Sequence, residues 1–559
     1  MLHATVKRNT YQDSLRLMQV STALGRVAGV NAVSAMMGTP ANKEVLRAAG
    51  LGADELESAG PGDLVIAADV VDAAVGEAVV AKADELLAYQ ARASRRPGLP
   101  SARSLERAVS IVGEPDLALV SIPGEYVASE TRRLLDRGIH AFIFSDNVSL
   151  EDEVALKLEA RDRGLLVMGP DCGTARLAGL PIAFANEVHD GSIGLVGASG
   201  TGLQAVMVQI DRLGGGVSHA IGLGGRDLGA EVGGISCVQA LRALDDDART
   251  RTVVLISKPP APGVRDDVIG VAKTLSKPVV AHLVGDRPQR EVDGNVHYAR
   301  TLEEAARLAV ALAGPRGARD VTLRPEQRWI KALYTGGSLA AEAAALLSAA
   351  IGEGEGERGD GYVMKSGGHE VIDLGDDRYT RGRVHPMIDP ALRTGRIPAV
   401  LADPENAVLL LDVVLGHGSA ADPAGPLASV IADGLARLHA EGREIAVVAS
   451  VCGTERDPQS LSAQTVALER AGVAVLGDNA AATRHALAIL RRRDAPPRPP
   501  ATTSAPIRRL LSAPPRIINI GLREFAVALH ERGAEVVHYD WAPVAGGDPR
   551  LQALLESLG

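Results

Sequence analysis

A strand, turn and helix at residues 191–206 constrain this chain more than any other feature. The stretch reads GSIGLVGASGTGLQAV: an apolar run of strand character, a turn of small residues, then apolar residues at helical spacing. The turn places Ser199, Gly200 and Thr201 at a helix start, where free backbone N–H groups and the positive end of the helix dipole favour an anion. An ordinary capped turn in a Rossmann-like layer is the alternative interpretation.

The chain contains this stretch a second time, beginning at Ile330, with Gly336, Gly337 and Ser338 in the turn. The same order of segments follows in both copies, and the second copy also carries a Gly- and Glu-rich insertion at residues 352–361. Two tandem α/β units are therefore predicted, and their two helix N-termini could face one shared anion. Simple alternation of strands and helices would also produce such a pattern.

Composition excludes several classes of protein. The 559 residues are 46% hydrophobic and carry a net charge of −10, so the chain can bury several cores but offers no basic surface for nucleic acid. We find no apolar run long enough to span a membrane and no apolar signal core near the N-terminus, so a cytoplasmic protein is expected. The three cysteines form no CxxC pair, which argues against a disulfide scaffold or a thiolate metal site.

The order of strand-like, helical and Pro-rich segments predicts a multi-domain α/β protein. Its last segment, a β-α-β tail, is too small to bury a sheet alone, so we expect it to dock on the body of the protein or on a partner subunit. The predicted pieces are a small α/β domain at 1–100, an α/β domain at 115–185, the two repeats at 190–315 and 327–490, a Pro-rich linker at 491–509 and the tail at 510–559.

Polar residues follow the predicted strands of the 115–185 domain. Ser121, Pro123 and Asn147 come at strand ends, as does the Gly169–Thr174 loop. In a parallel sheet the ligand crevice lies beyond these carboxyl ends, so the residues are candidates for binding a cofactor. Cys172 in the loop is a weaker candidate for a nucleophile, because no histidine lies near it in sequence to activate it.

Charged residues occupy equivalent loops of the two repeats. Arg226 and Asp227 follow the second strand of the first repeat, and Asp376 and Asp377 follow that of the second. They are candidates for contacting a substrate, although Arg and Asp in such turns can simply pair with each other.

Three histidines, His369, His385 and His417, are candidate general bases in the second repeat. His385 is preferred because it lies in a loop just past the charged turn. A metal site formed by His385, Asp389 and Asp376 is conceivable, but the sequence assigns none. Residues 454–456, in the segment GTERDP, could contact a substrate or partner subunit or could cap a helix.

Nine short motifs together resemble the FdrA family, which is itself similar to succinyl-CoA synthetase. They are MMGTPANK, FSDNV, MGPDCGT, GASGTG, IGLGGRDLG, YTGG, IDLGDD, HPMIDP and GTERDP. The resemblance implies a Rossmann-like CoA-binding domain at 115–185 and two tandem flavodoxin-like domains at 190–315 and 327–490, matching domains of the synthetase α and β subunits. CoA is thereby a possible cofactor, with Ser121, Pro123 and Asn147 as its candidate contacts.

The chain departs from the synthetase pattern where phosphate would be carried. His297 lies near the position expected for the phosphate-accepting histidine, but Val296 and Tyr298 flank it in place of glycines. Lys258 stands where a histidine-orienting glutamate is expected. No ATP-grasp segment is evident, so a phosphohistidine relay and nucleotide-driven ligation by this chain alone are not predicted.

The FdrA family also resembles one subunit of an oxamate carbamoyltransferase, encoded beside partner subunits in allantoin and purine breakdown. We therefore predict an oligomeric subunit that transfers a carbamoyl or acyl group between an acyl phosphate, such as carbamoyl phosphate, and a small carboxylate, such as oxamate. An acyl-CoA synthetase subunit and a non-enzymatic assembly or regulatory protein are the alternatives. The predicted catalytic residues are His385, Arg226 and Asp227, and the predicted anion-binding residues are Ser199, Gly200, Thr201, Gly336, Gly337, Ser338, Asp376 and Asp377.

Overall fold

The computed structural model divides into two compact units, Met1–Asp171 with Pro514–Gly559, and Cys172–Ala513. Most of the Gly- and Glu-rich insertion, the centre of the Pro-rich linker and the end of the tail lie outside the described residues. The structure describes residues 1–8, 10, 12, 14–60, 62–93, 98–286, 288, 290–315, 318, 321–351, 361–494 and 503–543.

The N-terminal segment forms a three-stranded antiparallel sheet in the order β1-β3-β2. One face of the sheet packs its apolar side chains against the first and third helices, and the other packs against the second helix. The elements are β1 (Leu2–Lys7), α1 (Ser14–Leu24), β2 (Val30–Met37), α2 (Pro40–Ala48), a 3₁₀ helix (Asp54–Leu56), β3 (Leu64–Val70) and α3 (Ala73–Ala93).

A parallel sheet with alternating helices follows, as the apolar strands of the 115–185 segment predict. Its strands are short and almost completely buried, because helices cover both faces. The elements are β4 (Ser101–Ala102), α4 (Leu105–Val112), β5 (Leu117–Ser121), α5 (Gly124–Leu135), β6 (His140–Ile143), α6 (Leu150–Asp162) and β7 (Val167–Met168).

The first repeat is an eight-stranded sheet in the order β14-β15-β13-β12-β10-β11-β8-β9. Residues 174–183 were expected in the 115–185 domain, but their two strands extend this sheet instead, since β8 pairs with β11 and β9 pairs with β8. The elements are β8 (Thr174–Leu177), β9 (Leu180–Ala183), β10 (Asp190–Ala198), α7 (Gly200–Arg212), β11 (Val217–Gly222), α8 (Ile235–Asp246), β12 (Thr252–Ser257), α9 (Pro262–Thr274), β13 (Val279–Leu283), β14 (Val292–Asp293), β15 (Val296–Tyr298) and α10 (Leu302–Ala313).

The second repeat is a six-stranded sheet in the order β17-β18-β16-β19-β20-β21. An extended linker was expected at residues 491–509. Instead, the last long helix of the repeat continues to Asp494, and a short helix begins at Ala505, after the segment outside the described residues. The elements are β16 (Trp329–Tyr334), α11 (Gly337–Ile351), β17 (Tyr362–Ser366), β18 (His369–Asp373), α12 (Asp377–Thr380), α13 (Ala391–Thr394), α14 (Ile397–Ala402), β19 (Asn406–Val414), α15 (Gly425–Ala440), β20 (Ala446–Cys452), α16 (Leu461–Arg470), β21 (Ala474–Leu476), α17 (Asn479–Asp494) and α18 (Ala505–Ser512).

The five parallel strands of each repeat follow one order, second, first, third, fourth and fifth: β11-β10-β12-β13-β15 and β18-β16-β19-β20-β21. This is the flavodoxin-like order, and the predicted multi-domain α/β fold is confirmed. The two repeats share one apolar core, in which α10 packs against α7 and α17, and α17 packs against α11. Small side chains such as Ala309, Ala340 and Ala486 let these helices approach closely.

The C-terminal segment completes the parallel sheet of the other unit. It contributes β22 (Ile517–Gly521), α19 (Arg523–Glu531) and β23 (Val536–Tyr539), in the sheet order β4-β23-β22-β5-β6-β7. The tail predicted as a separate unit is therefore the centre of a Rossmann-like sheet made from two distant parts of the chain. A small β-α-β unit cannot bury both faces alone, and β5 supplies the missing neighbour.

Gly521 is required where β22 passes β5. Its φ is +108°, and a Cβ atom there would lie 2.2 Å from the backbone oxygen of Ser121. We expect Gly521→Ala to lower the free energy of unfolding of this unit by roughly 3 kcal/mol or more, through strain and steric overlap. Gly533→Ala is the matched control, because Gly533 also has a positive φ of +77° but no neighbour within 4 Å of its Cβ position.

Thermal unfolding followed by circular dichroism measures the difference. Equal destabilisation by the two substitutions would contradict the close approach of β22 to β5.

Candidate functional site

The first predicted anion site lies at the start of α7. Ser199 follows β10 in an extended conformation, and its Oγ accepts a hydrogen bond from the Gly202 N–H at 3.2 Å. A Cβ atom on Gly202 would lie 2.8 Å from that oxygen, so the turn needs glycine there. Thr201 is exposed in the first turn of the helix. The structure therefore combines a capped helix start with an accessible hydroxyl, so Ser199, Gly200 and Thr201 lie together as predicted.

Two exposed cations follow the strands on either side of β10. Gly197 pairs with Gly222 of β11, and Ala198 pairs with Ser257 of β12. Arg226 lies in the turn after β11, and Lys258 directly follows β12. Because the carboxyl ends of parallel strands meet at one edge, both positive charges belong to the edge that carries the α7 start.

Asp227 does not join Arg226 in a shared substrate site. Its side chain is completely buried and accepts hydrogen bonds from the N–H groups of Ser236 (3.3 Å) and Cys237 (3.0 Å). These N–H groups lie in the first turn of α8, so Asp227 stabilises that helix start. A catalytic role for Asp227, predicted from the sequence, therefore has no support in this geometry.

The second predicted anion site, at the start of α11, contains a carboxylate of the protein. Asp412 is completely buried on β19. Its Oδ1 accepts from the Thr335 N–H at 2.9 Å, and its Oδ2 accepts from the Gly336 N–H at 2.8 Å. The Thr335 hydroxyl also donates to Asp412, at 3.1 Å to Oδ1. An external anion could therefore use these two N–H groups only by displacing Asp412.

The two repeats differ at one strand position. Ser257 pairs with Ala198 in the first repeat, and continuing the β16–β19 register by one residue places Asp412 beside Tyr334, the equivalent of Ala198. A neutral serine thus stands in the first repeat where the second has a carboxylate. The α7 start thus has two exposed cations at its strand edge, whereas the α11 start has a buried carboxylate directly behind it, which disfavours an external anion there.

A buried arginine balances Asp412. The Arg393 Nη1 donates to Oδ1 at 2.8 Å and also to the backbone oxygen of Asp412, and both side chains are buried. Asp412 is the only charged residue in the strand sequence NAVLLLDVV, and that isolation was a signal available before the structure. Its partner Arg393, nineteen residues earlier on α13, could not be identified from spacing.

Asp412→Ser would give the second repeat the residue of the first. We expect a loss of about 3–5 kcal/mol in the free energy of unfolding, because Arg393 would remain buried without its partner. The double variant Asp412→Ser with Arg393→Met should recover most of the loss.

Urea unfolding followed by Trp329 fluorescence measures both variants, in a Trp541→Phe background that leaves Trp329 on β16 as the single tryptophan. A single variant as stable as the parent would contradict the buried ion pair.

Asp373, Gly375 and His385 form a cluster beside the α11 start. Asp373 ends β18, and its Oδ1 accepts the Gly375 N–H at 2.8 Å. A Cβ atom on Gly375 would lie 2.7 Å from His385 Nε2, 2.9 Å from the Thr335 oxygen and 3.1 Å from Asp373 Oδ1. Burial raises the pKa of the Asp373 carboxyl, as do the negative charges of Asp376 and Asp412.

His385 lies beside the charged turn, where the sequence led us to expect it. The Met387 N–H donates to His385 Nδ1 at 3.2 Å. In the neutral ring the proton is therefore on Nε2, which makes that nitrogen a donor. The geometry thus favours Asp373, which sequence reasoning missed, over His385 as a proton acceptor. The signal available in the sequence was its place at the end of a predicted strand, three residues before Asp376 of the charged turn.

Asp376 and Asp377 line a cavity of about 520 Å³ with Asp373, Tyr362, Arg378 and Arg381. The Asp376 Oδ1 accepts the Arg378 N–H at 2.9 Å and so caps the short helix α12. The lining contains both carboxylates and arginines. It is therefore not the uniformly positive lining expected if Asp376 and Asp377 belonged to an anion site.

The other candidate bases lie apart from this cluster. His369 is buried, and its Nδ1 accepts the Ile330 N–H at 3.1 Å. His417 is exposed beyond β19. Asp389 accepts the Ala391 N–H at 3.0 Å at the start of α13. No group of three potential metal ligands occurs among the residues that the structure describes, so the conceivable His385, Asp389 and Asp376 site gains no support.

His297 is part of the sheet. It lies on β15, pairs with Val280 of β13 and is 9% exposed. Burial, and then the nearby Arg491 and Arg484, lower the pKa of His297 to about 4. A buried histidine whose backbone is fixed in the sheet is unsuited to accept phosphate and swing between sites.

The lowered pKa of His297 predicts that the folded protein is less stable in acid. In the unfolded chain His297 would titrate near 6.5 and in the folded chain near 4, so the unfolded state binds the extra proton between these values. The free energy of unfolding should therefore fall by about 3 kcal/mol as the pH decreases from 7 to 4.

His297→Gln should remove this component. The stability of the variant at pH 8, where His297 is neutral in both the folded and the unfolded state, measures the loss of packing separately from titration. Urea unfolding at several pH values gives the slope, and an unchanged slope in His297→Gln would contradict the assignment.

In the other unit, Ser121, Pro123 and Asn147 lie at the carboxyl edge of the parallel sheet. The Ser121 hydroxyl donates to the Ile520 oxygen at 3.2 Å and accepts the Leu522 N–H at 2.8 Å, so it joins β5 to the C-terminal segment. Pro123 precedes α5, and a Cβ atom on Gly124 would lie 2.4 Å from the Asn147 oxygen. The structure brings the three residues together, with Ser121 already engaged by the protein.

Two further candidates have structural roles. Cys172 is buried, and its Sγ lies 3.8 Å from the Thr174 oxygen. Glu455 accepts hydrogen bonds from the Ser462 N–H (2.7 Å) and from the hydroxyls of Ser460 and Ser462, and these bonds lower its pKa. Of the alternatives for GTERDP, helix capping is the one observed for Glu455.

Three protein families match parts of this chain. AllF, heavy metal-associated domain, matches residues 1–101; CoA binding domain matches 188–283; and CoA-ligase matches 333–489. The CoA-binding match thus falls on the first repeat, whereas the sequence resemblance led us to expect that function at 115–185. The CoA-ligase match covers the second repeat.

Individual relatives of the chain agree with these family matches. Succinate–CoA ligase [ADP-forming] subunit alpha 2 of Archaeoglobus fulgidus is 26% identical over 34% of this chain and 65% of its own length. Acetyl-coenzyme A synthetase 1 of Ca. Korarchaeum cryptofilum, in its apo form, has a TM-score of 0.50 at 16% identity over 71% of this chain and 86% of its own, which shows a shared fold. These matches define a succinyl-CoA synthetase-like protein with a ligase-type core.

Protein YahF of Escherichia coli (strain K12) is 40% identical over 84% of this chain and 94% of its own length. The chain belongs to the family of YahF.

Heavy-metal binding does not fit the N-terminal segment. All three cysteines, Cys172, Cys237 and Cys452, lie outside residues 1–101, and His3 is the only histidine within them. The segment therefore offers no thiolate and a single imidazole, so it lacks the cysteine ligands that soft metals favour. In the described part of the chain, no helix is long and apolar enough to cross a membrane.

Proposed function

We propose that this chain is an FdrA-like subunit that transfers an acyl or carbamoyl group between an acyl phosphate and a small carboxylate, with oxamate carbamoyltransferase as its specific activity. The observation that carries the proposal is the α7 helix start, where Ser199, Gly200 and Thr201 lie at a strand edge that also carries Arg226 and Lys258. Oriented N–H groups and flanking cations suit phosphate, both as part of the substrate and as the leaving group.

The proposed reaction is direct. The amide nitrogen of oxamate attacks the carbamoyl carbon, the C–N bond forms, the C–O bond to phosphate breaks, and the nitrogen loses one proton. Phosphate departs with the electron pair of the broken bond. No phosphohistidine is needed, which agrees with the buried position of His297 in β15.

We assign the proton transfer to the Asp373 and His385 cluster. Asp373 has a raised pKa and lies at the end of β18, so it is the proposed proton acceptor. His385, with its proton on Nε2, is the proposed donor to a substrate oxygen. Thr335 and Gly336 hold Asp412 in place and are not proposed to contact the substrate.

An acyl-CoA ligase subunit is the second candidate. The matches to CoA binding domain and CoA-ligase favour it, as does the topology of the Rossmann-like sheet. There the connection from β5 leads to β6 and that from β22 leads to β23, in opposite directions along the sheet. Ligands of such sheets bind at the switch point between two such strands, so residues at the starts of α5 and α19 would hold CoA, which would supply a thiol acceptor.

Partner subunits are part of the proposal. We propose that proteins encoded nearby assemble with this chain and complete the activity, so assays should include them.

Oxamate-dependent release of phosphate from carbamoyl phosphate tests the proposal. We expect release by the assembled complex and a loss of at least about tenfold in Thr201→Val, since one charge-assisted hydrogen bond at a transition state is worth roughly 1.4 kcal/mol or more. Thr274→Val is the control, because Thr274 is also an exposed helical threonine, and its hydroxyl donates to the Val271 oxygen.

Ser338→Ala distinguishes one anion site from two. No change would agree with a single site at the α7 start, whereas a loss equal to that of Thr201→Val would mean that both helix starts share the anion. Activity that depends on CoA and a nucleotide instead of oxamate would support the ligase candidate and contradict the transferase.

A further inference from the structure

A cavity of about 630 Å³ lies at the amino ends of the last strands of the second repeat. Its walls come from the residues before and within β20, from α15 and α17, and from the end of α16. The Asp373 cluster lies at the carboxyl ends of the strands of the same sheet, and the α7 start belongs to the first repeat. The cavity is therefore a separate site, and its volume is in the range of small-molecule binding sites.

The lining of this cavity is strongly basic. Five arginines contribute to it, namely Arg251, Arg443, Arg470, Arg492 and Arg493, whereas Glu444 is its one acidic residue. The Glu444 carboxylate is already engaged, because its Oε2 accepts the Thr322 N–H at 2.6 Å.

Arg443 is a fixed charge in the wall. It is buried, and its guanidinium donates to the backbone oxygens of Leu401 (2.6 Å), Ala402 (3.0 Å) and Asp403 (2.7 Å). Among the described residues, no carboxylate lies within ion-pair distance of Arg443. These backbone contacts hold the guanidinium rigidly without cancelling its charge.

His485 contributes a buried imidazole to the inner wall of the cavity. It lines the cavity from α17, is 2% exposed, and its Nδ1 lies 3.2 Å from the Ala311 oxygen. Burial, then Arg492 and to a smaller extent Arg251, lower the pKa of His485 to about 3. Arg492 and Arg251 thus lie close enough to the inner wall to disfavour a second cation there.

We propose that this cavity binds a small polyanion carrying several phosphate or carboxylate groups. Guanidinium groups bind both kinds of oxyanion through paired hydrogen bonds, and several of them around one cavity favour a multiply charged ligand over a single phosphate. The proposal is independent of the proposed function, because none of these residues belongs to the α7 start or to the Asp373 cluster.

Isothermal titration of the full chain with pyrophosphate, ATP and citrate tests the proposal. We expect saturable binding of at least one of them, one per chain, weakened as the salt concentration rises. Binding of ATP alone would identify a nucleotide ligand, whereas binding of all three would identify a site for compact polyanions in general. No saturable binding of any probe would overturn the proposal.

Two variants locate the site without disturbing the core. Arg470→Gln removes an exposed charge from the lining, and Ala436→Trp places a large ring on its exposed α15 wall. We expect Arg470→Gln to weaken binding about fivefold, corresponding to roughly 1 kcal/mol, and Ala436→Trp to abolish it.

Arg437→Gln and Ala440→Trp are matched controls on α15, because both residues are exposed and neither lines the cavity. Binding that survives both cavity variants, or that is lost equally in the controls, would place the ligand elsewhere and overturn the proposal.

Discussion

The unpaired N–H groups at a helix start need acceptors, and the two repeats meet this need in different ways. At α11 the buried carboxylate of Asp412 receives the N–H groups of Thr335 and Gly336, and Arg393 balances its charge. At α7 the equivalent strand position holds Ser257, and only the side chain of Ser199 caps the turn. The difference at one strand position thus puts a carboxylate behind the α11 start and a neutral serine at the equivalent position near the α7 start, which favours the α7 start for an external anion.

A duplicated fold does not therefore imply a duplicated site. The repeats share strand order and one apolar core, since α7 and the Ala-rich helices α10, α11 and α17 pack together. Their charged residues nevertheless differ: Arg226 and Lys258 lie exposed at the first strand edge, whereas at the second Asp373, Asp376 and Asp412 lie among arginines. The proposed reaction uses this difference, with the anion at the first edge and the proton transfer at the second.

The sequence predicted the parallel strands, the two repeats and the helix starts, because apolar periodicity and glycine-rich turns are local signals. It also placed His385 beside the charged turn that follows β18, and the side chain does pack on Gly375 there. It did not identify Asp373 as part of the cluster, and it gave Asp227 a catalytic role although α8 engages it. Both points concern which partners a polar side chain finds in the folded protein, and local sequence patterns do not specify those partners.

The C-terminal segment shows most clearly which features the sequence alone determines and which ones the tertiary structure decides. Its sequence alone determined a β-α-β unit between residues 517 and 539, since alternating strand and helix signals specify local structure. Only the tertiary structure decided that β22 lies beside β5, some 400 residues earlier, where Gly521 passes the Ser121 backbone. Pairing of distant parallel strands is decided by complementary packing and by the burial of both sheet faces, and neither is written in the sequence of one strand.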